Sequence, residues 1–139
     1  MADRSEILAR VRRQAASGEQ IPALLEALPS VTAEGVLPIL RAYILDRYML
    51  PPEEGESDEL LALAEASLRR YIRMVREGAV EKDPSRQCST ASSVIVKKVL
   101  LMKAIQRDFG VRFTPARAAE LTTVSALAAE IAAQRGAGA

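Results

Sequence analysis

Residues 109–131 read FGVRFTPARAAELTTVSALAAEI, and the punctuation in this stretch decides how the chain folds. Phe109-Gly110 closes a helix arriving from upstream, with glycine where a left-handed stop is wanted, because glycine has no Cβ to clash at positive φ. Val111-Arg112-Phe113 follows as a short extended piece. Thr114-Pro115 then supplies a cap hydroxyl and a first-turn proline for a short helix over Ala116 to Leu121, since proline has no N–H to leave unpaired there. Thr122-Thr123 interrupts it, and Val124 to Ala133 forms a last helix with Val124, Leu127 and Ile131 directed inward.

Upstream, Ser92 to Asp108 carries Val96, Val99, Leu100, Met102 and Ile105 at helical spacing. Before it a polar loop covers Gly78 to Gln87, and a helix covers Asp58 to Glu77 with Leu61, Leu68, Ile72 and Val75 on one face. Pro51-Pro52-Glu53-Glu54-Gly55-Glu56-Ser57 has the composition of a linker. Three further helices are expected ahead of it. One covers Asp3 to Ala16 with Ile7, Leu8 and Val11 as its stripe, and one Gln20 to Leu28. The third runs from near Thr32 to about Leu50, with Val36, Leu37, Leu40, Ile44, Leu45 and Tyr48 inward. The expectation is an all-α fold of about seven helices without a sheet. It divides into an extension over 1–50, a linker over 51–57, a helical domain over 58–135 and a tail over 136–139. Phe109, Val99, Met102, Leu121, Val124, Leu127 and Ile131 are expected to share one core.

Composition narrows the chemistry. The 139 residues are 49 % hydrophobic and 27 % charged, enough apolar material for a packed core. Histidine is absent and Cys88 is the one cysteine. The usual Cys–His and Ser–His–Asp nucleophile pairs are thereby excluded, as are histidine-based metal sites and an internal disulfide. No P-loop glycine pattern and no paired-carboxylate motif occurs, so an enzyme is not expected. A net charge of +1 and an aromatic content of 4 % argue against nucleic-acid binding. The apolar runs are short of the roughly 20 residues of a membrane span. The opening MADRSEILARVRR lacks a signal-peptide core, so a cytoplasmic protein without membrane contact is expected.

The ordered series Phe-Gly-Val, Thr-Pro, Ala-x-x-Leu, Thr-Val and Leu-x-x-x-Ile resembles the last third of the acyl and peptidyl carrier protein superfamily. It spans Phe109 to Ile131 and, with the preceding helix, begins near Ser92. The resemblance implies a serine at the start of the second carrier helix, esterified by 4'-phosphopantetheine, whose thiol holds an acyl or aminoacyl group as a thioester for biosynthetic enzymes. A helix N-terminus suits the phosphate because its amide dipoles favour an anion. The family writes the site as Asp-Ser-Leu. Its usual distance from the Phe-Gly pair, counted back from Phe109, lands on Ile95, which cannot be esterified. Lengthening the helix by one turn brings Ser92 to the site, with Ser89 and Ser93 as alternatives. The competing reading is that Ser89, Thr90 and Ser92 simply cap the helix.

Charge departs from the family as well. Carriers normally show their partners an acidic second helix, whereas this one carries Lys97, Lys98, Lys103 and Arg107 against Asp108. From Ser92 onward seven basic residues stand against three acidic, which favours a partner enzyme with an acidic docking surface unless this is an ordinary solvated face. Cys88 lies near a helix start and near Arg86 and Lys97, a setting that lowers a thiol's pKa, so it is a possible reactive thiol; an inert cysteine is the alternative. Two functions follow. One is a carrier of an acyl or aminoacyl intermediate. The other is a carrier-shaped interaction protein without an arm that recruits or regulates a partner enzyme.

Overall fold

The computed structural model describes residues 20–78 and 90–137, except for the side chains of 90–93 and 137. The helix expected over Asp3 to Ala16 and most of the loop expected over Gly78 to Gln87 lie outside these residues. The described residues form six α-helices: α1 (Ile21–Glu26), α2 (Ala33–Arg47), α3 (Leu60–Arg76), α4 (Thr90–Phe109), α5 (Pro115–Glu120) and α6 (Val124–Ala137). They contain no β-strand, and the fold is all-α. One isolated antiparallel bridge pairs Glu59 with Thr123.

Local chemistry sets the boundaries. The Thr32 hydroxyl accepts the Gly35 N–H at 3.1 Å and starts α2, and Thr114 does the same for α5 through the Arg117 N–H at 3.1 Å. Gly110 ends α4 at φ +68°, and the Val111 N–H returns to the Gln106 carbonyl at 3.2 Å, the expected left-handed stop. α2 closes in the same way without a glycine. Met49 sits at φ +55° and the Leu50 N–H reaches the Leu45 carbonyl at 2.9 Å. α6 continues past the expected end at Ala133, through Gly136, to Ala137.

One continuous core runs from Ile21 in α1 to Ala132 in α6. α2 lies along α6, α3 packs on α4, and α1 touches α4. α3 buries Leu60, Leu63, Ala64, Ser67 and Leu68, spaced i, i+3, i+4, i+7 and i+8 as one helical face requires, and the first three of them join this core. Of the stripe expected on α3, Leu68 is buried and Val75 half-buried, whereas Leu61 and Ile72 are exposed. The cause is the bridge that precedes the helix: Leu60 N–H bonds the Thr122 carbonyl at 2.9 Å and Val124 N–H bonds the Asp58 carbonyl at 2.7 Å. Those two bonds fix the rotation of α3 and hold its start against α6.

Residues 51–57 are closely tied to the helices around them. Pro52–Glu54 makes a 3₁₀ turn, Glu54 accepts from Arg70 at 2.9 Å and from Arg73, and Arg41 donates to the Gly55 carbonyl at 2.8 Å. Gly55 is buried so tightly against Leu45 that a Cβ would overlap that side chain.

Of the residues expected to share a core, Phe109, Met102, Leu121, Val124, Leu127 and Ile131 do so. Val99 does not, and Val96 and Leu100 are also turned out. Besides Met102, Ile105 and Phe109, α4 buries Leu101, Ala104 and Asp108.

Candidate interaction face on α4

The rotation of α4 is decided at its C-terminal end. Phe109 packs edge-on to Tyr43 of α2, with ring centroids 5.2 Å apart and planes at 87°. The Tyr43 hydroxyl donates to the Asp108 carboxylate at 2.5 Å, and Arg107 grips the same carboxylate through Nε at 2.8 Å and Nη2 at 3.1 Å. Asp108 is buried, and the Arg107 guanidinium holds its carboxyl below the usual carboxylate range. Burial pushes the Tyr43 hydroxyl up, and its bond to Asp108 pushes it further. Arg47 lies over the Tyr43 ring, 5.5 Å from its centroid. With Phe109 and Asp108 held against α2, the 100° advance per residue determines what the N-terminal half of α4 can bury.

That half exposes its largest side chains: Ile95 is 58 % exposed, Val96 49 %, Val99 47 % and Leu100 58 %. They occupy an arc of roughly 140° on the helix. Ser92, Lys103 and Arg107 fall within the same arc by position. Single exposed apolar residues are ordinary, but a contiguous set on one helix face marks a surface that something else covers. Sequence periodicity missed this face because apolar residues at 94–96 and 99–102 surround most of the helix. One signal was present: the position the carrier pattern reserves for its serine is Ile95, which stands on the exposed arc.

The basic residues of α4 have different surroundings. Lys97 is half-buried, donating to the Ser67 Oγ at 3.3 Å with its ammonium 5.6 Å from the Tyr48 ring centroid, while its carbonyl accepts from the Tyr48 hydroxyl at 3.2 Å. It fastens α4 to α3. Lys98 is half-buried, Lys103 is exposed, and Arg107 is exposed yet committed to Asp108. Ser92 and Ser93 lie in the first turn of α4, with side chains outside the described residues, and Ser89 and Cys88 lie wholly outside them. A phosphopantetheine arm does not fit the family's usual position, because Ile95 offers no hydroxyl. Ser92, expected one turn earlier, falls on the same arc by position, and Ser93 stands next to it in the first turn.

The Ser67–Lys97 contact pairs a hydroxyl with an amine, the makings of a serine–lysine nucleophile. Here the Ser67 hydroxyl is buried and donates to the Tyr48 carbonyl at 2.8 Å, so its proton is already committed and the pair is a structural tie. Among the described residues no group of three or more Cys, Asp or Glu side chains could hold a metal ion. No described helix is long and apolar enough to cross a membrane. The class that fold and site define is an all-α helical bundle with an exposed apolar and basic helix face. Compared with family models, curated proteins and solved structures, the chain matches none of them.

Proposed function

We propose that this chain is a carrier-shaped interaction module that recruits or regulates a partner enzyme by docking it on the exposed face of α4, without catalysing a reaction itself. The observation that carries this reading is the exposure of Ile95, Val96, Val99 and Leu100 together on one face of a single helix. Burying a large apolar side chain is worth roughly 1.5–3 kcal/mol, so four left in water forgo a gain that a partner recovers. The test places a photo-activatable benzoylphenylalanine at Val99 in the full chain in the producing cells, with the exposed Glu120 as control position. A discrete adduct at Val99 that is missing at Glu120 is expected. The same adducts at both positions, or none at Val99, would count against the module.

A second reading keeps the arm: a carrier of an acyl or aminoacyl group on phosphopantetheine attached at Ser92. It is favoured by the placement of Ser92 in the first turn of the 20-residue α4, where amide dipoles suit a phosphate. Bound there, the arm would supply a thiol for thioester formation. Intact mass after co-expression with a broad-specificity phosphopantetheinyl transferase separates the readings. An adduct lost in Ser92→Ala supports the carrier, whereas no adduct in the wild type leaves the armless module.

A further inference from the structure

We infer that the occupant of the α4 face is an amphipathic helix of a partner protein, with apolar residues at helical spacing flanked by Asp and Glu. This rests on the docking reading above and adds the chemistry of what docks. From Thr90 to Phe109, α4 has one carboxylate, Asp108, and that group is buried between Arg107 and Tyr43. The outward surface of the helix therefore holds apolar and basic groups with no negative charge among its described side chains. α3, packed on α4, differs: its exposed face carries Ile72, Arg69 and Arg76 but also the exposed Glu65, so the face without a carboxylate is that of α4.

Shape selects a helix. Ile95 and Val99 form one i, i+4 row and Val96 and Leu100 the next, so the face is a pair of parallel ridges with a groove between them. Ridges at this spacing interdigitate with the side-chain rows of another helix. From Ile95 to Lys103 the face is roughly 12 Å long at 1.5 Å per residue, matching two to three turns of a partner.

Charge selects which helix. In a second copy packed antiparallel about Val99, each Lys103 would meet Ile95 of the other α4, with no carboxylate within reach on that face. Packed parallel, Lys103 would meet Lys103. Self-pairing thus offers Lys103 no opposite charge in either direction, while an acidic flank meets Lys103, which continues the Ile95–Val99 row, and the half-buried Lys98 beyond the Ile95 side. A membrane surface fits less well, because residues 90–108 contain no Trp, Tyr or Phe to anchor at an interface.

The probes are two synthetic helical peptides of roughly 18 residues, long enough to form a helix on contact. Both have the same Leu/Ile stripe; one is flanked by Glu, the other by Lys. Each is titrated into ¹⁵N-labelled full-length protein. The Glu peptide is expected to shift amides of residues 94–103, with affinity falling about tenfold between low and physiological salt. The Lys peptide is expected to bind at least about tenfold more weakly. Lys103→Glu should reverse that order, and Val99→Glu should abolish binding of the Glu peptide. Equal binding of both peptides would keep α4 as a docking face and overturn its charge selectivity. Shifts with neither peptide would overturn the helical partner altogether. Three other occupants would each overturn it too. Concentration-dependent shifts of these amides without peptide would indicate a second copy, and shifts with phosphatidylserine vesicles alone a membrane. Shifts produced by Ile7→Asp with Leu8→Asp would indicate the chain's own N-terminal segment.

Discussion

The Tyr43 hydroxyl and the Asp108 carboxylate, 65 positions apart in the chain, meet in a buried hydrogen bond that locks α2 to the end of α4. Removing one partner leaves the other short of a bond in a low-dielectric site. Tyr43→Phe should cost about 1–2 kcal/mol, because Arg107 still satisfies Asp108. Asp108→Ala should cost about 2–3 kcal/mol, since it strands the Tyr43 hydroxyl. Urea unfolding at neutral pH measures both. Equal stability of Asp108→Ala and wild type would show that the bond contributes nothing.

The same network gives stability a predictable pH profile. Arg107 holds the Asp108 carboxyl below its ordinary range, and arginine partners do likewise for Glu54 and Glu130. Below about pH 4 the unfolded chain takes up protons that the folded chain resists, so these groups stabilise the fold above that pH and the stabilisation is lost on acidification. Tyr43 and Tyr48 are both pushed up, chiefly by burial. Their stabilisation is complete below about pH 10 and lost as pH rises further. Thermal melts should therefore be flat near neutrality and fall on both sides. Asp108→Asn should shallow the acid limb and Tyr43→Phe the alkaline limb. Unchanged limbs in both variants would remove these groups from the account.

Two left-handed residues call for opposite substitutions. Met49, at φ +55°, occupies the place that glycine fills after α4, so Met49→Gly should stabilise the protein by about 0.5–1 kcal/mol. Gly110, at φ +68°, has the Arg135 Nη1 2.9 Å from where a Cβ would stand. Gly110→Ala should cost about 1–2 kcal/mol, almost all of it from the backbone, because the arginine end can swing aside. Chemical denaturation of the pair checks the signs, and a stabilising Gly110→Ala would contradict this description of the α4 stop.

Truncations along α4 separate the two sides of the helix. Phe109→Ala should cost roughly 3–5 kcal/mol and Ile105→Ala roughly 2–5 kcal/mol, because both open cavities in the core. Val96→Ala, Val99→Ala and Leu100→Ala should each stay within about 0.5 kcal/mol of wild type, as surface changes do. A cost above about 2 kcal/mol for Val99→Ala would return that residue to the core.

Legibility in the sequence follows the range of the forces involved. The stops and starts at Gly110, Thr114-Pro115 and Thr122-Thr123 are local chemistry, and each appears where the residues place it. The inward set Leu121, Val124, Leu127 and Ile131 was legible as well, since short helices between such signals have little freedom to rotate. The face of α4 was not. Its apolar residues cover too much of the circumference for spacing to choose a side, and the choice rests with Tyr43, 65 positions from Asp108. Tyr43 was missed as an inward residue, and Asp108 read as a lone acid in a basic stretch rather than the group that orients it. α3 shows the same limit, its rotation being set by backbone bonds to Thr122 and Val124 that no pattern within 58–77 reveals.

Reversing the charges of Lys103 and Arg107 together is a poor probe of docking, because Arg107→Glu would set a carboxylate beside the buried Asp108. Lys103→Glu alone should leave the melting temperature within about 2 °C, while Arg107→Glu should lower it by several degrees. Calorimetry of the two variants distinguishes a surface charge from a structural one.

The central claim is that α4 turns Ile95, Val96, Val99 and Leu100 to solvent while burying Leu101 and Ile105. Solvent paramagnetic relaxation of methyl-labelled full-length protein tests this most directly. A soluble gadolinium chelate should relax the methyls of Ile95, Val96, Val99 and Leu100 strongly and those of Leu101 and Ile105 weakly. Equal protection of both sets in the monomer would contradict the exposed face and the docking function built on it.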